Sequence, residues 1–216
     1  IREIKFKEKF IIEENLYPGD YIKEIAKNII KNNNNLDIEN FDNCFEQLKK
    51  LSLEGSMTFI KDDLKKLGIM HDNFISETDL VKKDLVSKTI KKLKNKNFVV
   101  EGYLDRPKGE TPKNWKKIKR LIFKSTEFGD DTDRALQKDD GTWTYFANDV
   151  AYHFDKINRK YDNLINILGA DHTGYIKRIT SAVTALSNEK VKLNCKVCQL
   201  VKLYKNGKPF KMSKRS

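Results

Sequence analysis

The 216-residue sequence predicts an α/β fold, a parallel sheet with crossover helices preceded by a helical region. Three observations lead there. Apolar residues in the first third recur at helical spacing, the period shortens from Asn97 onward, and the second half alternates short apolar runs with amphipathic stretches.

Taken in order, Ile22, Ile25, Ala26, Ile29 and Ile30 follow Pro18-Gly19-Asp20 at i, i+3, i+4, i+7 and i+8, one face of a helix that Asp20 is placed to cap. Asn32–Asn35 reads as a polar loop. Met57, Ile60, Leu64 and Leu67 repeat the helical pattern, and Gly68 is a natural stop. Val86, Ile90 and Leu93 mark a third helix, with lysines on its other face. Phe98-Val99-Val100 is a short strand, the stretch with Pro107, Gly109 and Pro112 is a loop, and Trp115 to Phe128 fits either strand or loop. Thr142 to Tyr145 reads as extended, Val150 to Ile157 as helical, and Leu164 to Leu168 as a buried strand ending at Gly169. Ile176, Ile179, Val183 and Leu186 give another helix. Val197 to Tyr204 reads as a strand turned at Asn206-Gly207, a hairpin dipeptide. The expected division is a helical region over residues 1–120 and an α/β region over 121–216.

Charge is unevenly placed. The net of +12 comes from 43 basic and 31 acidic residues, but residues 1–81 carry −4, 82–124 carry +11, 125–188 carry −3 and 189–216 carry +8. Lysine supplies most of the positive charge beside abundant Asn and Ile, a composition that codon drift in an AT-rich genome also produces. Two basic blocks around an acidic one suit either a polyanion partner or solvated lysine faces. No apolar run reaches the roughly 18–20 residues of a membrane span, and no apolar stretch follows a basic N-terminus as in a secretion signal. Cys44, Cys195 and Cys198 are too few for a disulfide scaffold and fit a reducing compartment.

Three segments have residue types suited to chemistry. In Ile165 to Tyr175 a strand runs into Gly169-Ala170-Asp171-His172 and then a helix. Ligands of α/β sheets bind beyond the carboxyl ends of strands, where Gly169 permits close approach, Asp171 can accept from ribose hydroxyls and His172 can reach a polar substrate group. The other reading is a capping Asp with an exposed His. Around Lys211-Met212-Ser213-Lys214-Arg215, two lysines three apart can surround phosphate oxygens and stabilise charge developing on a transferring phosphoryl group, or they form an ordinary basic tail. Tyr145 and Asp149, four apart, share a face at a helix start, where carboxylate and phenol can hold a cation; packing and capping are the alternative. Phe128 to Arg134 lacks the ligand spacing of a calcium loop and reads as a solvated acidic turn. Cys195 and Cys198 have no nearby pair to complete a zinc site, so no metal site is expected.

In this order, the segments resemble the class I aminoacyl-tRNA synthetases, and within them the bacterial arginyl-tRNA synthetases. Lys211-Met212-Ser213-Lys214 resembles the KMSKS signature and Gly169-Ala170-Asp171-His172 the adenylate-binding element. Tyr17-Pro18-Gly19-Asp20-Tyr21-Ile22, Phe128-Gly129-Asp130-Asp131 with Asp133-Arg134, Thr144 to Ala147 with Asp149 to His153, and Gly174-Tyr175-Ile176 add to the likeness. The resemblance implies part of a Rossmann-type catalytic domain with a helical insertion. It implies catalytic roles for Lys211, Ser213 and Lys214, ATP binding by Gly169, Asp171, His172 and Met212, and arginine binding by Tyr145, Asp149 and His172. The implied reaction joins arginine to ATP as arginyl-adenylate and passes it to tRNA. The resemblance also implies that ATP arrives with Mg2+ and that the whole enzyme is a cytoplasmic monomer with no membrane attachment. The family's HIGH motif is absent, and the sequence stops inside the KMSKS-like run, so a middle piece, inactive alone, is expected. A cysteinyl-type class I enzyme and a non-catalytic RNA-binding module are the competing readings.

Overall fold

The computed structural model describes residues 1–9, 11, 19–33, 35–104 and 117–210. The chain divides into two compact units, Ile75–Leu200 and a unit formed by Ile1–Phe74 with the segment from Val201.

The first unit begins with helices α1 (Arg2–Phe6), α2 (Asp20–Asn32) and α3 (Phe41–Lys66). Helix α2 buries the apolar stripe read from its sequence, placing Ile25 and Ile29 with Leu36, Ile38 and Cys44. Its cap position is Gly19; Asp20 is the first helical residue, where a carboxylate favours the positive end of the helix dipole. Helix α3 starts sixteen residues before the first apolar residue of the Met57–Leu67 pattern. It is capped by Asn40, whose side chain accepts from the Asn43 amide at 3.3 Å. Ser52, Gly55 and Ser56 interrupt the pattern in its middle. Gly55 has a packing reason: a Cβ there would sit 2.9 Å from Ile25 Cγ2, so its absence lets α2 and α3 approach closely. At the far end Gly68, at φ +74°, takes the left-handed conformation that terminates a helix.

The second unit is α/β. Helices α4 (Glu77–Lys82) and α5 (Leu85–Asn95) lead into an antiparallel sheet of β1 (Val99–Gly102), β2 (Arg120–Phe123) and β3 (Arg134–Ala135), in that order. A 3-10 turn, Ser125–Phe128, follows β2. Trp143 bridges Gln137 and packs against the core, and Thr144 then starts α6 (Tyr145–Asn158) by accepting from the Ala147 amide at 3.2 Å. The helix expected from Val150 therefore starts at Tyr145, because Thr144 is a capping residue and Phe146-Ala147 belong to the buried stripe. Strand β4 (Asn163–Gly169), a 3-10 turn over Ala170–Tyr175, α7 (Ile176–Ser187) and β5 (Lys192–Cys198) complete a β-α-β unit with β4 and β5 parallel, Leu164 opposite Leu193 and Asn166 opposite Cys195. This is the predicted parallel sheet with its crossover helix.

Leu93, Phe123, Leu136, Val150, Ala151 and Ala182 are fully buried in one continuous core where α5, α6 and α7 pack with β1 to β3. Strand β4 departs from expectation. Leu164 is buried, but Ile165 and Ile167 are 61% and 66% exposed. An apolar run on both faces of a strand signals cover on both sides, and among the described residues only one face is covered. The strand expected over Val197–Tyr204 is also broken. Strand β5 ends at Cys198, and a separate hairpin joins β6 (Leu203–Lys205) to β7 (Lys208–Phe210). Its turn is the predicted Asn206-Gly207, both at positive φ as a type I′ turn requires.

Candidate functional site

Helix α6 presents Tyr145, Asn148, Asp149 and Tyr152 along one face. With Glu77 and Leu80 these residues line a cavity of about 210 Å³. The side chains around it include two carboxylates and no Lys, Arg or His. Tyr145, 80% exposed at the first turn of α6, attracts a cation already: the Lys138 ammonium lies 5.8 Å from its ring centroid. Asn148 donates to Glu77 Oε1 at 2.6 Å, tying α4 to α6 at the cavity wall.

Asp149 is fixed through two of its atoms. Its Oδ2 accepts from the Tyr175 hydroxyl at 2.6 Å, and its main-chain carbonyl accepts from His153 Nδ1 at 2.8 Å. A carbonyl cannot donate, so Nδ1 carries the His153 proton and Nε2 accepts from Asn166 Nδ2 at 2.9 Å. Lys156 donates to the carbonyl end of the same Asn166 at 3.0 Å. Burial, reinforced by the Lys156 charge, holds His153 below the usual histidine range. Burial also lowers Lys156, with Arg159 adding to the effect. The chain His153–Asn166–Lys156 thus pins α6 to the middle of β4.

At the carboxyl end of β4, Gly169 is extended and runs into the turn that carries Asp171 and His172. A Cβ at Gly169 would meet Asp171 Oδ1 at 2.5 Å, so the missing side chain leaves space for the carboxylate to fold back over the strand end. Asp171 and His172 are exposed, with His172 Nε2 at 3.6 Å from Asp171 Oδ2. The sequence-predicted residues therefore form two groups, Tyr145 with Asp149 on α6, and Gly169, Asp171 and His172 beyond β4. Lys211, Met212, Ser213 and Lys214 lie outside the described residues, as do Tyr17 and Pro18.

Sequence reasoning missed the parts that join these groups. Tyr175 ends the turn after β4 and bonds Asp149, a pairing with no local signal across 26 residues. The acidic turn after β2 is also not simply solvated. The Asp130 side chain is fully buried and pairs bidentately with Arg134 at 2.7 Å on both branches. Burial alone would raise the Asp130 carboxyl; Arg134 and the Asp131 amide outweigh it and hold the group below the usual range. Asp133 caps Thr126 and Asp131 pairs with Lys177. Cys195 and Cys198 are free thiols three apart on β5, hence on opposite faces of the strand.

The fold is that of an aminoacyl-tRNA synthetase. A crystal structure assigned as an arginyl-tRNA synthetase from Campylobacter jejuni matches 98% of this chain and 43% of its own, with a TM-score of 0.75 and 29% identity. No protein-family model matches the chain. Sequence relatives are more specific. The arginine–tRNA ligase of Pelagibacter ubique is 62% identical over all 216 residues, which is 37% of that protein. That of Wolbachia pipientis wMel is 47% identical over 97% of this chain and 36% of its own. The chain belongs to the arginine–tRNA ligase family, and it spans about a third of the length of the curated relatives it matches.

Proposed function

We propose that the chain is the part of an arginine–tRNA ligase that binds the arginine side chain and one wall of the nucleotide. The observation that carries this reading is the α6 cavity, with Tyr145, Asp149 and Glu77 on its walls and no basic side chain among them. A guanidinium presents parallel N–H groups in a plane, and a carboxylate accepts two of them together. Tyr145 adds an exposed ring for the cation to lie against.

In this reading Gly169 and Asp171 receive the adenosine, with the Asp171 carboxylate accepting from ribose hydroxyls, and His172 lies between nucleotide and amino acid. Met212 completes the nucleotide side, while Lys211, Ser213 and Lys214 act on the phosphates of ATP, which arrives with Mg2+. The arginine carboxylate attacks the α-phosphate, pyrophosphate leaves, and the arginyl group then passes to the tRNA. Residues 1–120 serve as the helical insertion and 121–216 as the catalytic half. The same reading assigns tRNA binding to the basic block that includes Lys91, Lys92, Lys116 and Lys117. The whole protein is a cytoplasmic monomer. Among the described residues no helix is long and apolar enough to cross a membrane.

The test is aminoacylation by a protein extended to the length of its relatives. Asp149→Asn is expected to raise the KM for arginine about 100-fold, since it removes the charge opposite a desolvated cation, and to leave ATP binding unchanged. Neutralising Lys91 and Lys92 is expected to weaken tRNA binding with a shallower salt dependence and no change in the arginine KM. An unaltered arginine KM in Asp149→Asn overturns the arginine assignment.

A further inference from the structure

The α6 cavity identifies the groups that meet the substrate, and a separate contact determines how they are held. A carboxylate that must receive two parallel N–H groups has to present its plane at a set angle, and the short Asp149 side chain does not fix that angle by itself. Tyr175 does. Its hydroxyl donates to Asp149 Oδ2 at 2.6 Å, and its ring is held on two sides. Phe146 packs edge to face at 6.4 Å and 83°, and the Arg178 guanidinium lies 5.1 Å from the ring centroid. Phe146 belongs to the buried core, so the ring is referenced to the most constrained part of the unit. Burial, together with the hydrogen bond to Asp149, raises the phenol well above its ordinary range, so the hydroxyl remains a donor.

We propose that Tyr175 is the positioning residue for Asp149, orienting the carboxylate so that its remaining acceptor sites face the cavity and receive a guanidinium in the plane. The proposal rests on the reading of this cavity as the arginine site. It has a structural corollary. Tyr175 belongs to the same turn as Asp171 and His172, so a shift of that turn reaches the arginine carboxylate acceptor through one hydrogen bond.

The experiment compares three variants of the protein extended to the length of its relatives, by steady-state aminoacylation and thermal unfolding. Tyr175→Phe is expected to raise the arginine KM about tenfold, about 1.4 kcal/mol, with kcat and the ATP KM changed less than about twofold. Phe146→Leu loosens the same ring and keeps the hydroxyl. It is expected to lower Tm by about 2–4 °C and to raise the arginine KM clearly less than Tyr175→Phe does. An arginine KM unchanged in Tyr175→Phe, or raised equally by Phe146→Leu, overturns the positioning role. Asp149→Asn separates the two claims. If it raises the arginine KM and Tyr175→Phe does not, only the positioning role fails; if it has no effect, the arginine assignment fails with it.

Discussion

Helices α6 and α3 are both rich in aromatic and aliphatic side chains, yet they are held very differently. In α6, Phe146, Ala147, Val150, Ala151 and His153 are buried among 14 residues; in α3, Cys44 alone is buried among 26. Helix α6 is enclosed by α4, α5 and α7, and its His153 is bonded to β4, whereas α3 packs chiefly on α2. A helix contacted from several sides has few alternative placements, and side chains projecting from it inherit that precision. The candidate substrate groups Tyr145 and Asp149 stand on the enclosed helix. Burial around a site, rather than length or apolar content of its helix, is what permits a geometry defined to a fraction of an ångström.

This contrast predicts a graded set of outcomes. The largest is Val150→Asp, which puts an unpaired charge where no surface is exposed. It should cost the second unit more than about 4 kcal/mol, measured by denaturant unfolding. The same change at Leu53 on α3, 60% exposed, should stay within about 0.5 kcal/mol. Comparable losses at the two positions would break the comparison.

Next is the buried ion pair beneath the turn after β2. Asp130→Asn should destabilise by about 2–3 kcal/mol, because Arg134 keeps its charge and loses its partner. The sign with pH follows from the lowered Asp130 carboxyl. Its contribution is complete above its unfolded pKa, near pH 4, and is lost as pH falls through the folded value. Unfolding curves for the variant should therefore be less sensitive to pH below about 4 than those of the parent.

The smallest effect belongs to His153. Its folded pKa is depressed, so the unfolded chain takes up the proton first as pH falls below about 6.5. Stability should decline as pH falls below about 6.5, with full stability retained above it. His153→Gln should abolish the slope in a pH series of chemical denaturation.

The same contrast explains what could be read from the sequence. Helices α2, α5 and α7 were legible because their buried faces are continuous apolar stripes. The part of α3 before Met57 carries an apolar stripe of its own in Phe41, Cys44, Phe45, Leu48 and Leu51, but Gly55 and Ser56 separate it from the Met57–Leu67 pattern, and Gly55 is small because a Cβ there would crowd Ile25. The start of α6 rested on a cap, and caps depend on one residue, Thr144. For β4 the apolar run gave the strand correctly and its cover wrongly: alternation is a record of both faces, and Ile165 and Ile167 are exposed among the described residues. In the site, the four-residue spacing of Tyr145 and Asp149 is local and visible. Tyr175 reaches Asp149 only after the β4 turn has folded back, and the Asp130–Arg134 pair owes its burial to neighbours distant in sequence. Tertiary contacts of that kind leave no periodic trace.

The placement of Trp143 has an optical consequence. It is one of two tryptophans, the other being Trp115 outside the described residues. Trp143 is partly buried, bridged to Gln137 and two positions ahead of Tyr145. In a chain with Trp115 replaced by Phe, excited at the red edge where tyrosine does not absorb, the emission comes from this indole. Docking of an amino acid against Tyr145 would then register as a change in fluorescence intensity, and a titration could follow occupancy without a label, a nucleotide or turnover.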